Sequence, residues 1–473
     1  MVSSDAHQSP QSPITKPQSP LTQLLRERAP LTVAAFMELA LYDPQFGYYA
    51  RAARRSGRAG DFFTSVDVGP LFGELLDLQI AEMASILGAT GKATAETAEN
   101  PETVDLSANS KNVTQNSGSV PQASRNLPPH PNNDSADSAF SAVAFSQSHV
   151  PGPQPARIFD LVEAGAGNGR LSADILHAAK RRDPGFFESI RLHLIEASAS
   201  ARAAQRRTLG DAADRLVSSS STLPDAFEGV VIANELLDAL PTHQVVMRED
   251  GLREIYVSRQ SQVASHKSVG GHKSAGLTTD DLRLTTVEGP LSTPDLQAYL
   301  DRLGVVLEAG WRVEINLRAA EWMRDAARRL SRGFMILIDY GHDAQSLYSP
   351  AHSAGTLTSF SSHRSGAGGD DPAAPLWLQR PGEQDITAHV DFTTIRAAAE
   401  AEGMTTIAFL DQTYFLLGLV SASGGGKMSA EGSAALKTLI MPGGLGSTMK
   451  VLILGKGVGA PALAGCSFKV RVT

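Results

Sequence analysis

Apolar residues in this chain gather into short uninterrupted runs, and longer stretches of helical spacing lie between them. Ile158, Phe159, Leu161 and Val162 form one run, Ile190 to Ile195 a second, Val230 to Ala233 a third and Phe334 to Ile338 a fourth. Runs apolar on both faces predict strands buried inside a parallel sheet. From Leu171 to Lys180 the apolar positions recur every three or four residues, which predicts a helix packed on that sheet. Strand, tight turn and helix repeat, so the fold class is α/β.

The remaining pattern fills in the order. Leu21 to Leu41 is helical in spacing with a break at Pro30, and a second apolar helix carries Val68, Leu71, Phe72, Leu75 and Leu76. His243 to Met247 and Leu252 to Val257 flank Glu249-Asp250-Gly251, a hairpin signal. Pro294 to Leu303 is expected as helix, Arg312 to Asn316 as strand, and Ala319 to Leu330 as an amphipathic helix with Trp322 and Leu330 inward. Leu416 to Val420 and Val451 to Leu454 are expected to complete the sheet. Residues 1–20, 89–156 and 258–285 are poor in apolar positions and rich in Ser, Pro, Asn, Gly or Lys, so a disordered N-terminus, a disordered insertion and a loose insertion are expected there. That leaves a helical segment at 21–88, the first part of a core at 157–257, and the rest of the core with a substrate region at 286–473.

Bulk numbers narrow the class. With 473 residues, 42% hydrophobic, the chain can bury a large core. A net charge of −8 supplies no global field for nucleic acid. The one cysteine, Cys466, excludes an intramolecular disulfide framework and fits a reducing compartment. No run reaches the roughly 18 to 20 apolar residues of a membrane span. The first residues have neither a signal-peptide core nor the basic character of a transit peptide, so a bacterial cytoplasm is expected, with the mitochondrial matrix as the alternative.

Chemistry concentrates at the predicted strand ends. The first strand runs into Glu163 and then Gly165, Gly167 and Gly169, a turn that needs positive φ and lets a ligand touch backbone. The spacing is G-x-G-x-G, and Arg170 stands where a dinucleotide fingerprint places its third glycine. Glu163 would repel a pyrophosphate but suits a ligand carrying an ammonium or sulfonium, such as S-adenosylmethionine. Glu196, at the tip of the second strand, is placed to accept both ribose hydroxyls. Asn234, Glu235 and Asp238 leave the third strand toward the same crevice, and a helical turn would put Glu235 and Asp238 on one face. Asp339 leaves the fourth strand, and Asp385 and His389 lie in a block dense in titratable groups. Asp61, Thr64 and Ser65 cluster at a helix entrance, where capping is the minimum role. The tyrosines of Tyr42 to Ala50 read as packing groups. His130 and His149 are too far apart for a metal-ligand pattern, and no metal is required. Gly424-Gly425-Gly426-Lys427 is rejected as a phosphate loop, because Ser421 and Met428 replace residues the motif needs.

Taken in order, DPQFGYY (43–49), GDFFTS (60–65), LFGELL (71–76), EAGAGNGRL (163–171), ANELLDALP (233–241), IDYGHD (338–343), GTLTSF (355–360) and PGEQDITAHVDF (381–392) resemble one family. It comprises the mitochondrial complex I assembly arginine methyltransferase and its MidA-type relatives, and the likeness spans about Phe36 to Leu454 outside the insertions. The resemblance implies a Rossmann-like S-adenosylmethionine-dependent methyltransferase core with an added helical and β-hairpin region for substrate binding or dimerisation. It further implies symmetric dimethylation of an arginine on a respiratory-complex subunit. The cofactor set is then Glu163, Gly165, Gly167, Gly169, Glu196, Asn234, Asp61, Thr64 and Ser65; Glu235 and Asp238 are the carboxylate clamp, with Asp385 and His389 beside them and Asp339 and His363 as further candidates. Three departures stand out: Thr358 where the family has Arg, Val66 where it has Pro, and a serine-rich Leu216 to Leu223 without an acid for the adenine amine. Two other readings of the same residues are a NAD(P)-dependent oxidoreductase and a non-catalytic assembly factor that keeps the fold. A homodimer is left open.

Overall fold

The computed structural model describes residues 20–52, 64–89, 158–259, 283–361, 364–365, 375–424 and 429–468. Expectations for 1–19, 90–157 and 260–282, and for Asp61 and His363, lie outside these residues.

The core is a sheet whose strands, in chain order, are β1 (Phe159–Ala164), β2 (Ile190–Ile195), β3 (Leu216–Ser220), β4 (Phe227–Asn234), β5 (Leu330–His342), β6 (Thr405–Asp411) and β7 (Met449–Lys456). Their spatial order is β6-β7-β5-β4-β1-β2-β3. β1 through β5 run parallel and β7 lies antiparallel to both β5 and β6. The chain therefore reverses direction across the sheet between β1 and β4, which opens a crevice at the carboxyl ends of these strands. Every residue of β1 is buried, as the two-faced apolar run predicts.

Two apolar layers sandwich the sheet. Leu161, Leu192, Val230 and Ile336 face a layer containing Leu76 and Ile80 of the helix Leu71–Ala89 and Leu176 of the helix Arg170–Arg182. Val162, Val231 and Leu337 face Met323 of the helix Leu317–Arg329 and Ile395 of the helix Phe392–Glu400. Each such side chain fully removed from water is worth roughly 1.5–3 kcal/mol, so the sheet is a stiff platform for the loops at its edge.

Two smaller sheets complete the fold. His243–Arg248 and Gly251–Arg259 form the expected hairpin, extended by Leu31–Thr32, Arg312–Ile315 and Leu284–Gly289. Thr358–Ser361 pairs with Arg364–Ser365 and Asp385–Thr387. The helices Pro20–Arg28 and Val33–Tyr42 are separated at Pro30, and Leu25, Phe36 and Leu41 pack with Val246 and Ile255 of the hairpin.

Several expectations are corrected. Leu416 to Val420 belongs to the helix Gln412–Ala422, and the sheet is completed by β6 just before it. A short apolar run does not by itself distinguish a buried strand from a buried helix turn. Leu330 is buried as the first residue of β5, not as the last of a helix. The 258–285 insertion is narrower than its composition suggests, because strands reach Arg259 and resume at Leu284. The serines of Leu216–Ser220 give no apolar signal for β3, a strand that is only half-buried.

Candidate functional site

The glycine turn joins β1 to the helix Arg170–Arg182 with φ of 73° at Gly165, 51° at Gly167 and 85° at Gly169. Only glycine adopts this left-handed backbone without penalty, so the sequence spacing and the turn are one fact. The turn is held from behind. Gly167 donates its N–H to Glu196 Oε2 at 2.9 Å, and its carbonyl accepts from Gln205 Nε2, also at 2.9 Å. Gln205, fully buried, also accepts from Ser219 Oγ at 2.6 Å. Glu196 Oε1 accepts the Ser198 N–H at 2.7 Å, so its carboxylate bridges β2 and the turn. A Cβ built on Gly167 meets nothing within 4 Å, whereas those on Gly165 and Gly169 approach Leu236 and Leu194. The open side of the turn is thus at Gly167.

Glu163 is buried at 5% exposure, and its Oε2 accepts both the backbone N–H and the hydroxyl of Ser172. Burial pushes its pKa up to about 7, partly opposed by these bonds. β4 delivers the second acidic group. Asn234 pairs in register with Ile338 of β5, and Glu235 then takes φ of 52°, the only positive value for a non-glycine among the described residues. Glu235 Oε1 accepts from Asn234 Nδ2 at 3.2 Å and the Ser65 N–H at 3.4 Å. Its Oε2 is buried without a partner, as is Asn234 Oδ1. Burial, reinforced by Asp339, pushes the pKa of Glu235 up to about 8.

The helical turn expected at 235–238 does not form. Asp339 Oδ2 accepts the N–H groups of Leu236 (3.1 Å), Leu237 (2.8 Å) and Asp238 (3.4 Å). These donors point at a carboxylate on β5 instead of waiting for a helix, and the left-handed Glu235 redirects the chain. Asp238 is buried at 4% exposure, and burial, Asp339, Glu235 and Asp385 all raise its pKa. Replacing Asp339 with Ala strands three N–H groups. Urea unfolding of Asp339→Ala is expected to show a loss on the order of 3 kcal/mol, with a smaller loss for Asp339→Asn, which keeps an acceptor.

The tyrosine block reaches the same place. Tyr42 donates its hydroxyl to the Ala239 carbonyl at 3.0 Å, and Tyr49 donates to Asp385 Oδ1 at 2.8 Å. Burial and the charges of Asp385 and Asp238 hold both phenols well above their ordinary pKa. Ala388 donates its N–H to the Asp238 carbonyl at 3.0 Å, tying the 381–392 block to the β4 turn. Thr64 forms a reciprocal capping box with Asp67, as its position suggested, while Ser65 donates its hydroxyl to Gln412 at 3.2 Å. Thr358, in the family's arginine position, has a buried hydroxyl without a partner.

Glu163, Gly167, Glu196, Glu235 and Asp238 thus lie at or just beyond the carboxyl ends of β1, β2 and β4, with Asp385 near Asp238. His389 departs from this group: its ring packs against His342 and His352 at centroid distances of 5.4 and 5.9 Å. Burial lowers the pKa of His342 and of His389 to about 4. Tyr42 and Tyr49, expected as packing groups, also donate hydrogen bonds here, while Gln205 and the bracing role of Asp339 go beyond the sequence reading; the DPQFGYY and IDYGHD blocks carry the local signal for Tyr49 and Asp339. Among the described residues, no lysine or arginine forms an ion pair with Glu163, Glu235, Asp238 or Asp339. Several buried carboxylates without a cation favour a ligand that brings positive charge.

Comparison with known proteins agrees. Residues 143–410 match the model of the S-adenosyl-L-methionine-dependent methyltransferase family Methyltransf_28. The chain belongs to this family. The methyltransferase is 24% identical over 416 residues to the mouse (Mus musculus) mitochondrial protein arginine methyltransferase NDUFAF7, covering 83% of this chain and 71% of that one. The human (Homo sapiens) protein of the same name is also 24% identical, over 430 residues, with 84% and 72% covered. A crystal structure from Burkholderia thailandensis, bound to S-adenosyl-homocysteine, superposes with a TM-score of 0.67 at 24% identity over 94% of both chains. The α/β methyltransferase core read from the strand ends is therefore the fold, and the oxidoreductase reading is set aside. No described helix is long and apolar enough to cross a membrane.

Proposed function

We propose that this methyltransferase transfers a methyl group to a guanidinium nitrogen of a protein arginine, and that its acceptor is a subunit of a respiratory complex I type assembly. The observation that carries the reading is the Glu235 and Asp238 pair: two acids with raised pKa, one presenting a buried carboxylate oxygen with no partner. Mitochondrial relatives named as protein arginine methyltransferases support the acceptor class, and with it the mitochondrial matrix beside the bacterial cytoplasm as a setting.

The crevice fits S-adenosylmethionine on two counts, the open side of Gly167 and the uncompensated carboxylates. Gly165, Gly167 and Gly169 would seat the methionine portion, Glu163 its ammonium and Glu196 the ribose, with Asn234, Thr64 and Ser65 alongside. When bound, the cofactor supplies an electrophilic methyl on a sulfonium. A guanidinium is protonated and a poor nucleophile, so Glu235 and Asp238 must orient it and draw its positive charge away from the attacking nitrogen. Asp385, fixed by Tyr49, borders the same clamp. The proton displaced from the methylated nitrogen passes to a clamp carboxylate.

Incubating the protein with methyl-labelled S-adenosylmethionine and a cell lysate tests the reading. Label on an arginine of one polypeptide is the expected result; label on lysine or on a small molecule, or none with the cofactor bound, would overturn it and leave the non-catalytic assembly reading.

A further inference from the structure

Three imidazoles meet at the carboxyl end of β5. His342 closes β5, His352 closes the short turn Pro350–His352, and His389 leads into the two-residue strand Val390–Asp391. Gly341 and His342 pair in parallel with Val390 and Asp391, so backbone bonds hold the first and third histidines in fixed relation. His342 and His352 have ring centroids 4.9 Å apart, and one ligand nitrogen from each of the three histidines lies within 4.8 Å of the other two.

The hydrogen bonding says which lone pairs are available. His352 Nδ1 lies 3.0 Å from the Ser346 carbonyl, which can only accept, so Nδ1 carries the proton and Nε2 keeps its lone pair. A ligating histidine is characteristically fixed through its other nitrogen to a backbone carbonyl in this way. His389 Nδ1 is buried with no partner. Ring packing alone would account for the stacking but not for that orphaned nitrogen.

We propose that His342, His352 and His389 bind one zinc ion through one imidazole nitrogen each. An all-nitrogen set suits zinc and neighbouring transition metals and does not suit magnesium or calcium, which take oxygen ligands. Zinc–nitrogen bonds of about 2.0–2.1 Å put tetrahedral ligand atoms roughly 3.3 Å apart, so the rings close on the ion by rotation of about an ångström or slightly more. The acids around the cluster are engaged elsewhere: Asp343 accepts from Ser346, Asp391 accepts from Tyr299, Thr393 and Thr394, and Asp411 pairs with Lys450. Water therefore takes the fourth position. The ion ties β5, the 350–352 turn and the 381–392 block together, independently of which acceptor the enzyme methylates.

Chelator-treated full-length protein titrated with zinc chloride by calorimetry tests the site. One zinc per chain is expected, weakened by roughly tenfold or more in His342→Ala and in His352→Ala, with S-adenosyl-homocysteine binding kept as evidence of folding. Absence of saturable zinc binding, or binding undiminished in the double variant, overturns the proposal. Should either variant lose its fold, cobalt(II) added to the unaltered protein decides: the intense visible bands of a tetrahedral ion support the site, and the weak bands of an octahedral ion overturn it.

Discussion

Gly167→Val is expected to abolish cofactor binding while leaving the fold standing. At Gly167 the backbone has φ of 51° and the space where a Cβ would stand is empty, so an added Cβ meets no described atom within 4 Å. The folded protein bears mainly the left-handed strain, at least roughly 1–2 kcal/mol for a residue with a Cβ and more for a β-branched one. The ligand bears much more, because the isopropyl group fills the side of the turn from which it must touch backbone. Calorimetry with S-adenosyl-homocysteine should show an affinity loss of about 100-fold or more, equivalent to about 3 kcal/mol, with apoprotein melting a few degrees lower. Gly167→Ala should fall between. Cofactor affinity within about threefold of the parent in Gly167→Val would move the binding turn elsewhere.

Glu235→Gln is the second large effect. The amide keeps size and most hydrogen bonding but removes the charge that would draw on a guanidinium, so kcat for the acceptor should fall roughly 10²- to 10³-fold. Affinity for S-adenosyl-homocysteine should hardly change. The pH profile carries the diagnosis. With its pKa raised to about 8, Glu235 is neutral in the free enzyme below that pH and charged above it. A cationic acceptor requires the charged form, so kcat/KM should climb as pH rises toward about 8 and then level off. The same shift acts on stability in the opposite direction. A raised folded-state pKa adds stability that is fully present below the unfolded carboxylate pKa and is lost as pH rises through about 8. Apoprotein should therefore melt lower across that window, and Glu235→Gln should remove that part of the slope along with the rising limb in kcat/KM. A limb that persists in the variant would assign the titration to Asp238 or Asp339.

What the sequence disclosed was local. The glycine spacing at 165–169 predicts a turn of positive φ, and the end of the apolar run at Ile195 places Glu196 at the tip of β2. The misread parts depend on groups far apart in the chain. Asp339 captures the N–H groups of residues 236–238 across about a hundred positions, and nothing near Glu235 announces that its helical turn will be pre-empted. Tyr49 reaches Asp385 over 336 positions, so an aromatic that looks like packing is also a hydrogen-bond anchor. His352 sits in a turn without periodicity, and only the pairing of β5 with Val390–Asp391, invisible in either segment alone, sets His342 beside His389. Leu416 to Val420 failed for a simpler reason, since an apolar helix turn and an apolar strand look alike over five residues.

Under the proposed clamp, the left-handed backbone at Glu235 sets catalysis against durability. Glycine would occupy φ of 52° without strain and would remove a buried acid whose ionisation the fold resists. A selection for heat resistance above about pH 8 should accordingly enrich Glu235→Gly, and the survivors should be sturdier there while methyl transfer falls at least as far as in Glu235→Gln.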